Sequence, residues 1–146
     1  MYAKSQAKTG AGTSLSIGST APVLIGELTE APFDRPAWGT EDVTNFESPG
    51  ASEHIATFLE NKEITFQGNR VASDAGQAAV EAAYATGQPV AFTIQLPISG
   101  SQTVTGDSFT FSAIVVLPSF SLTPTKVVKF SLKVQPTGAW TKTAGS

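Results

Sequence analysis

The second half of the chain alternates apolar and polar residues with period two, three times over. Val90, Phe92, Ile94 and Leu96 fall on one side of an extended chain, with Ala91, Thr93 and Gln95 on the other. Phe109, Phe111, Ala113, Val115 and Leu117 make a second apolar row. Val128, Phe130, Leu132 and Val134 make a third, set against Lys129, Ser131 and Lys133. Successive side chains of a strand point to opposite faces, so each row predicts a strand with one face on a core. A helix, with its 3.6-residue period, cannot present these rows on one face. Residues 98–106 supply a Gly- and Ser-containing turn between the first two rows.

The first half adds shorter pieces. Leu15–Ile17 and Pro22–Leu28, the latter with Val23, Ile25 and Leu28, read as two short strands. Ile55–Leu59 and Ile64–Phe66, either side of Glu60-Asn61-Lys62-Glu63, read as a hairpin with a polar turn. One helix is expected, Asp74–Thr86. Ser73 or Asp74 caps it, Gln77 stands three residues past Asp74 as in a capping box, Gly87 closes it and Pro89 forbids its continuation. Val80 and Tyr84 share a face of it, with Ala79 and Ala83 beside them. The expected fold is mainly β, an antiparallel β-sandwich or barrel with one flanking α-helix and a long loop or hairpin arm.

A chain of 146 residues suits one domain spanning 1–146, and a domain of that size buries roughly 70% of its unfolded surface. It therefore needs neither metal nor disulfide, and the absence of Cys excludes disulfide staples and thiolate sites. Residues 1–13 read as a flexible N-terminal arm and 138–146 as a polar C-terminal tail. Trp140, alone in that tail, is expected to anchor it on the body or on a neighbour. No apolar stretch follows Met1-Tyr2-Ala3-Lys4 and no run is long enough to cross a bilayer, so a soluble protein kept in a cytoplasm is expected, without membrane insertion.

Charge is segregated. Eight of the twelve acidic residues lie from Glu27 to Glu60, where Arg35 is the sole basic residue. Lys4 and Lys8 are the only charges before Glu27, and Lys126, Lys129, Lys133 and Lys142 the only ones after Asp107. Within the acidic stretch, residues 32–50 show no helical period and no long apolar run. They carry Phe33, Trp38 and Phe46 among Asp34, Glu41, Asp42 and Glu47. Solvated disordered segments lack such large apolar groups, whereas a long irregular excursion in a small domain is often functional. Residues 31–56 are therefore expected to be a docking arm, with Phe33, Asp34, Trp38, Glu41, Asp42 and Phe46 as its contacts. Lys126, Lys129 and Lys133 offer a complementary basic surface. The same lysines also fit the protection of an edge strand against aggregation.

Nothing here marks an enzyme. The only His, His54, has Glu53 and Ser52 beside it in a turn-rich stretch, and no Gly-x-Ser-x-Gly elbow accompanies it. Gly10-Ala11-Gly12-Thr13 lacks the Gly-Lys-Ser/Thr ending of a phosphate loop. Glu41 and Asp42 are adjacent carboxylates, weak grounds for a cation site. No catalytic residue, metal or cofactor is assigned.

The order of the pieces resembles the major tail tube proteins of long-tailed bacteriophages, of the lambda-like and lactococcal-phage-like type. The resemblance covers most of the chain. It begins at Gly10-Ala11-Gly12-Thr13-Ser14-Leu15, continues through Ile25-Gly26-Glu27-Leu28-Thr29, and is most specific at Asp42-Val43-Thr44-Asn45-Phe46-Glu47-Ser48-Pro49-Gly50. Phe58-Leu59-Glu60-Asn61 stands where a Gly-Leu-x-Asp-like turn is usual and lacks its Gly. The lone helix, Gly87 before an apolar strand, and the strand from Thr125 to Val134 complete the order. The resemblance implies hexameric rings of this chain stacked into a tube in the virion, assembled in the host bacterial cytoplasm. It implies tape measure, tail tip and terminator proteins as partners, and non-specific passage of double-stranded DNA through the lumen. No further C-terminal domain is expected. A tail terminator or completion protein forming a single ring, and a β-sandwich module binding carbohydrate or a host surface, are the alternatives.

Overall fold

The three alternating rows become three consecutive strands of one sheet. The structure is a computed structural model that describes residues 12–32, 35–98, 100 and 102–146. Residues 1–11 of the expected N-terminal arm, and Phe33 and Asp34 of the docking arm, lie outside the described residues. The elements are β1 (Ser14–Ile17), β2 (Val23–Leu24), β3 (Leu28–Glu30), β4 (Ala37–Asp42), β5 (His54–Glu60), β6 (Ile64–Asn69), α1 (Ala75–Thr86), β7 (Val90–Gln95), β8 (Ser108–Ser121) and β9 (Lys129–Thr143). Seven strands form an antiparallel sheet in the order β2-β1-β7-β8-β9-β6-β3, and β4 and β5 pair separately. The antiparallel sandwich or barrel with one helix is the architecture found, as a single sheet curled into a half-barrel.

The curl follows from connectivity. β2 is one edge of the sheet and β3 the other, yet residues 25–27 alone separate them in the chain. Four Cα steps reach at most ~14 Å, so the two edges must be drawn together. The Ile25 N–H still donates to the Leu15 carbonyl of β1, whereas the Glu27 carbonyl already accepts from the Asn69 N–H at the end of β6, each at 2.9 Å. The expected strand from Pro22 to Leu28 is thus split in two by a crossing of the seam, with Glu27 in the left-handed region at φ 54°.

The N-terminus of α1 closes that seam. Asp74 is the N-cap, and its Oδ2 accepts from the Gln77 N–H (2.9 Å) and the Gly26 N–H (3.1 Å). The returning half of the expected capping box is not made. The buried Gln77 side chain instead accepts from the Val71 N–H (3.0 Å) and donates to the Gly26 and Asn69 carbonyls (3.3 and 3.0 Å). It spans both sides of the crossing. Gly76 lets the helix come this close, since a Cβ there would sit 2.1 Å from the Leu24 carbonyl oxygen. The helix buries Gly76, Gln77, Val80 and Ala83. Tyr84, expected on that face, is exposed, because the seam takes the flank carrying Gly76 and Ala83. Gly87 ends the helix in the αL conformation.

Inside the half-barrel Leu15, Ile17, Ile64, Phe66, Phe92, Ile94, Phe111, Ala113, Val115, Phe130, Leu132 and Val134 meet Ile25, Val80 and Ala83 in one core. Two register shifts in the β8–β9 ladder set which residues reach it. One lies between Val115 and Leu117 and leaves Val116 as an extra residue. Leu117, expected on the core row, is therefore turned out, and Pro118 and Phe120 come opposite Leu132 and Phe130 instead. The other lies between Thr110 and Ser112, opposite Thr141 and Thr137. Gly138 there adopts φ 81°, a conformation available to Gly at low cost. The extra residues bring Trp140 onto Phe111, ring centroids 4.3 Å apart, and Phe111 stacks in turn on Phe92 at 5.7 Å. Residues 138–143, read as a solvated tail, are the second half of a strand.

Two more expectations change. The hairpin expected between residues 55–59 and 64–66 is not formed: β5 pairs with β4, and β6 lies between β9 and β3. Lys129 and Lys133 do not protect an edge, because β9 is flanked by β8 and β6 over that stretch.

Candidate interaction surface

The arm is regular. β4 and β5 form a two-stranded antiparallel hairpin whose strands, among the described residues, pair only with each other, with Trp38 opposite Leu59, Glu41 opposite Ile55 and Asp42 opposite His54. Every residue of β5 is exposed. Trp38 is 60% and Phe58 81% exposed, and Ile55 and Leu59 are also largely open. A two-stranded hairpin with solvent on both faces is marginal in water, and a run of exposed aromatics on it is the mark of a surface that meets another molecule.

Its tip is held by local polar bonds. Asp42 Oδ1 accepts from the Thr44 N–H (2.8 Å), and Thr44 Oγ1 accepts from the Glu53 N–H (2.8 Å) across the neck. Val43 N–H donates to the Glu53 carbonyl at 2.9 Å. Asn45 Oδ1 accepts from the Glu47 N–H (2.8 Å), and Ser48 Oγ accepts from the Asn45 N–H (3.0 Å). Such side-chain bonds to nearby backbone define tight turns. The bonds from Thr44, donated by side chain and backbone, hold the Asp42 carboxyl below the usual aspartate range. Phe46 is left projecting from the tip, fully exposed at 109%. Asp42, Thr44, Asn45 and Ser48 thus fix a turn that carries one phenyl ring outward.

The remaining predicted residues divide. Lys126 is exposed in the β8–β9 connection. Lys129 Nζ donates to Asn69 Oδ1 at 2.7 Å, and Lys133 Nζ lies 3.5 Å from Glu63 Oε1. Trp140 is half-buried and its Nε1 donates to Asn61 Oδ1 at 3.1 Å. Asn61 follows β5 directly and its Nδ2 donates to the Gly138 carbonyl at 3.1 Å, so this cluster fixes the root of the hairpin to β9. Glu41 and Asp42 are successive residues of a strand and point to opposite faces. Among the described residues no three His, Cys, Asp or Glu gather as metal ligands. His54 is exposed on β5.

The sequence reading missed several apolar groups of this surface. In the sequence Ile55, Phe58 and Leu59 read only as one strand of a hairpin with residues 64–66, which their β-branched and aromatic run suits. A second exposed set, Phe120, Leu122 and Val127, flanks the β8–β9 connection. There an open apolar groove of about 260 Å³ runs between α1 and the ends of β8 and β9, walled by Ala78, Val80, Pro118, Phe120 and Phe130. Arg70 stands at it with its guanidinium 4.8 Å from the Phe120 ring centroid.

No protein family matches the chain by sequence, and no curated protein matches it. Solved structures do. The chain superimposes on one from the tail of an empty gene transfer agent particle, a structure of C6 symmetry, with a TM-score of 0.73 over 94% of this chain and 100% of that one, at 19% identity. The fold is one it shares with tail tube chains. The SPP1 tail tube protein gives a TM-score of 0.66 at 16% identity, over 94% of this chain and 79% of that one. A chain from the sheath/tube terminator structure of an extracellular contractile injection system gives 0.64 at 12% identity, over 97% and 100% of the two chains.

Proposed function

We propose that the chain is a structural subunit of a virion tail tube, of the lambda-like and lactococcal-phage-like kind, and self-assembles into stacked hexameric rings. The observation that carries this reading is the β4–β5 hairpin, an ordered projection whose apolar side chains find no cover within the described chain. Rings require unlike, complementary surfaces on each subunit, and unpaired strand edges such as those of β4 and β5 are ready pairing surfaces. The fold likeness to tube chains supports the reading, and the C6 symmetry of the gene transfer agent tail supports a ring of six. In this role the protein meets further copies of itself, the tape measure protein and the tail tip and terminator proteins, after assembly in the host bacterial cytoplasm. The lumen passes double-stranded DNA without sequence preference. A wall for that purpose should offer phosphate few free cations. On the sheet face opposite the core Thr93 and Thr110 are in mutual contact, Lys133 is set against Glu63 and Lys129 donates to Asn69.

A single-ring terminator is the second reading, favoured by the likeness to the injection-system terminator structure. Negative-stain microscopy of the purified protein over a wide concentration range decides between them. Hollow tubes are expected; isolated rings that never stack favour the terminator, and a persistent monomer rejects both.

A further inference from the structure

The hairpin and the groove lie at different ends of the same strand pair. The hairpin root is pinned by Asn61 to Gly138 of β9, with Gln135 Nε2 also donating to the Asn61 carbonyl. The groove lies at Phe130, the other end of β9's pairing with β6, where the Arg70 N–H donates to the Val128 carbonyl at 2.9 Å. At about 3.3 Å per residue, the eight residues from Phe130 to Gly138 separate root and groove by roughly 26 Å along β9. One patch is acidic with a projecting ring; the other has apolar walls with the Arg70 guanidinium among them. Glu41, Asp42, Glu47 and Glu53 surround the hairpin tip, whereas Arg70 is the cation on the groove wall, with Glu81 as the one acid.

We infer that the hairpin tip of one copy seats in this groove of a second copy, with Phe46 entering between Val80, Phe120 and Phe130 beside Arg70. The inference rests on the tube reading and names the surface that receives the arm. Size agrees: an apolar cavity of roughly 150 Å³ admits benzene, and the groove holds about 260 Å³. That is less than the usual ~300–1,000 Å³ of a small-molecule site, so a side chain is the better occupant. Arg70 already lies against an aromatic face, and a second ring beside it gains from the same cation–π attraction. Displaced, complementary patches make a head-to-tail contact that leaves a free hairpin at one end and a free groove at the other. Such a contact extends wherever the rotation between copies does not close it into a ring, and extension is what stacking along an axis needs.

The chain has no Cys, so a Glu47→Cys, Ala78→Cys double variant, which keeps the Phe46 ring, tests the contact directly. Oxidised after assembly, it should run as a ladder of dimers, trimers and larger species on a non-reducing gel, while each single variant should not. Tubes without a ladder overturn the groove assignment and leave the tube reading standing; unchanged protein that forms neither rings nor tubes overturns both. A second pair guards against a double variant that fails to assemble. Glu47→Lys and Arg70→Glu should each raise the critical concentration for assembly at least tenfold. Combined in one chain they should restore it to within about threefold, and failure of that restoration also overturns the inference.

Discussion

At the scale of single residues, the most constrained positions are those where α1 touches the seam. Gly76 has no room for a methyl, because the Leu24 carbonyl and the Ile25 Cα lie 2.1 and 2.6 Å from where its Cβ would stand. Backbone cannot yield there without parting β2 from β1. Gly76→Ala is therefore expected to cost about 3 kcal/mol, the upper part of the usual range for overpacking, and to lower Tm by roughly 10 °C. Ala82→Gly, on the exposed side of the same helix, should cost only about 1 kcal/mol. Thermal unfolding of the two variants separates seam contact from helix propensity, and equal losses would reject the seam argument. Little of this could be read from sequence. Gln77 was visible as half of a capping box, since spacing alone encodes that motif. Its partners, the Gly26 and Asn69 carbonyls, are set by the three-dimensional crossing and leave no local trace.

At the scale of elements, sequence told most where structure is local. α1 was legible from Asp74 to Gly87 because caps and composition act within a turn, and β7, β8 and β9 because alternation acts within a strand. Extra residues were illegible. Val116 and the residues around Gly138 shift a ladder by altering pairing with a partner strand, and nothing in the propensities of Val or Gly announces it. The partner of β5 was misread for the same reason: β4 lies beyond a turn of residues 43–53, and β6 is nearer in sequence but committed to β9. The far end of β9 carries its own fastening. Asp107 Oδ1 accepts from the Gly145 N–H (2.8 Å) and Gln102 Nε2 (2.7 Å), and the Ser146 carbonyl accepts from the Thr103, Val104 and Thr105 N–H groups. The Gly145 bond first, with help from Gln102 and Lys142, holds the Asp107 carboxyl below its ordinary value. A depressed pKa means this contact is complete above the unfolded value, about 3.9, and fades as pH falls through the lower folded value. The Gly145 amide resonance should stay constant from neutral pH to about 4, move below it, and cease to titrate in Asp107→Asn; movement beginning above pH 5 would contradict the assignment.

For the molecule as a whole, the half-barrel and the hairpin are separable. Ala37 and Glu60 face each other across the ladder, at a distance of roughly 5 Å for such pairs, so an Asn-Gly turn can replace residues 38–59 without strain in the body. That excision is expected to leave the melting temperature of the half-barrel within a few degrees and to abolish tube growth. A body that unfolds on excision, or tubes that persist, would show that the hairpin's place has been misjudged. The order in which the pieces are made gives the curled sheet a further consequence. β6 waits for β9, and β1 waits for β7, so neither side of the sheet has its neighbour until most of the chain has left the ribosome. Long-range pairing of this kind is slow and late. The hairpin, by contrast, can zip locally while synthesis continues. Phe120 and Phe130, walls of the groove, are among the last core-side aromatics to emerge. Under the proposed docking, a nascent chain carries its projecting ring long before it owns the groove that would receive one, and its own timetable keeps it from gathering neighbours too early.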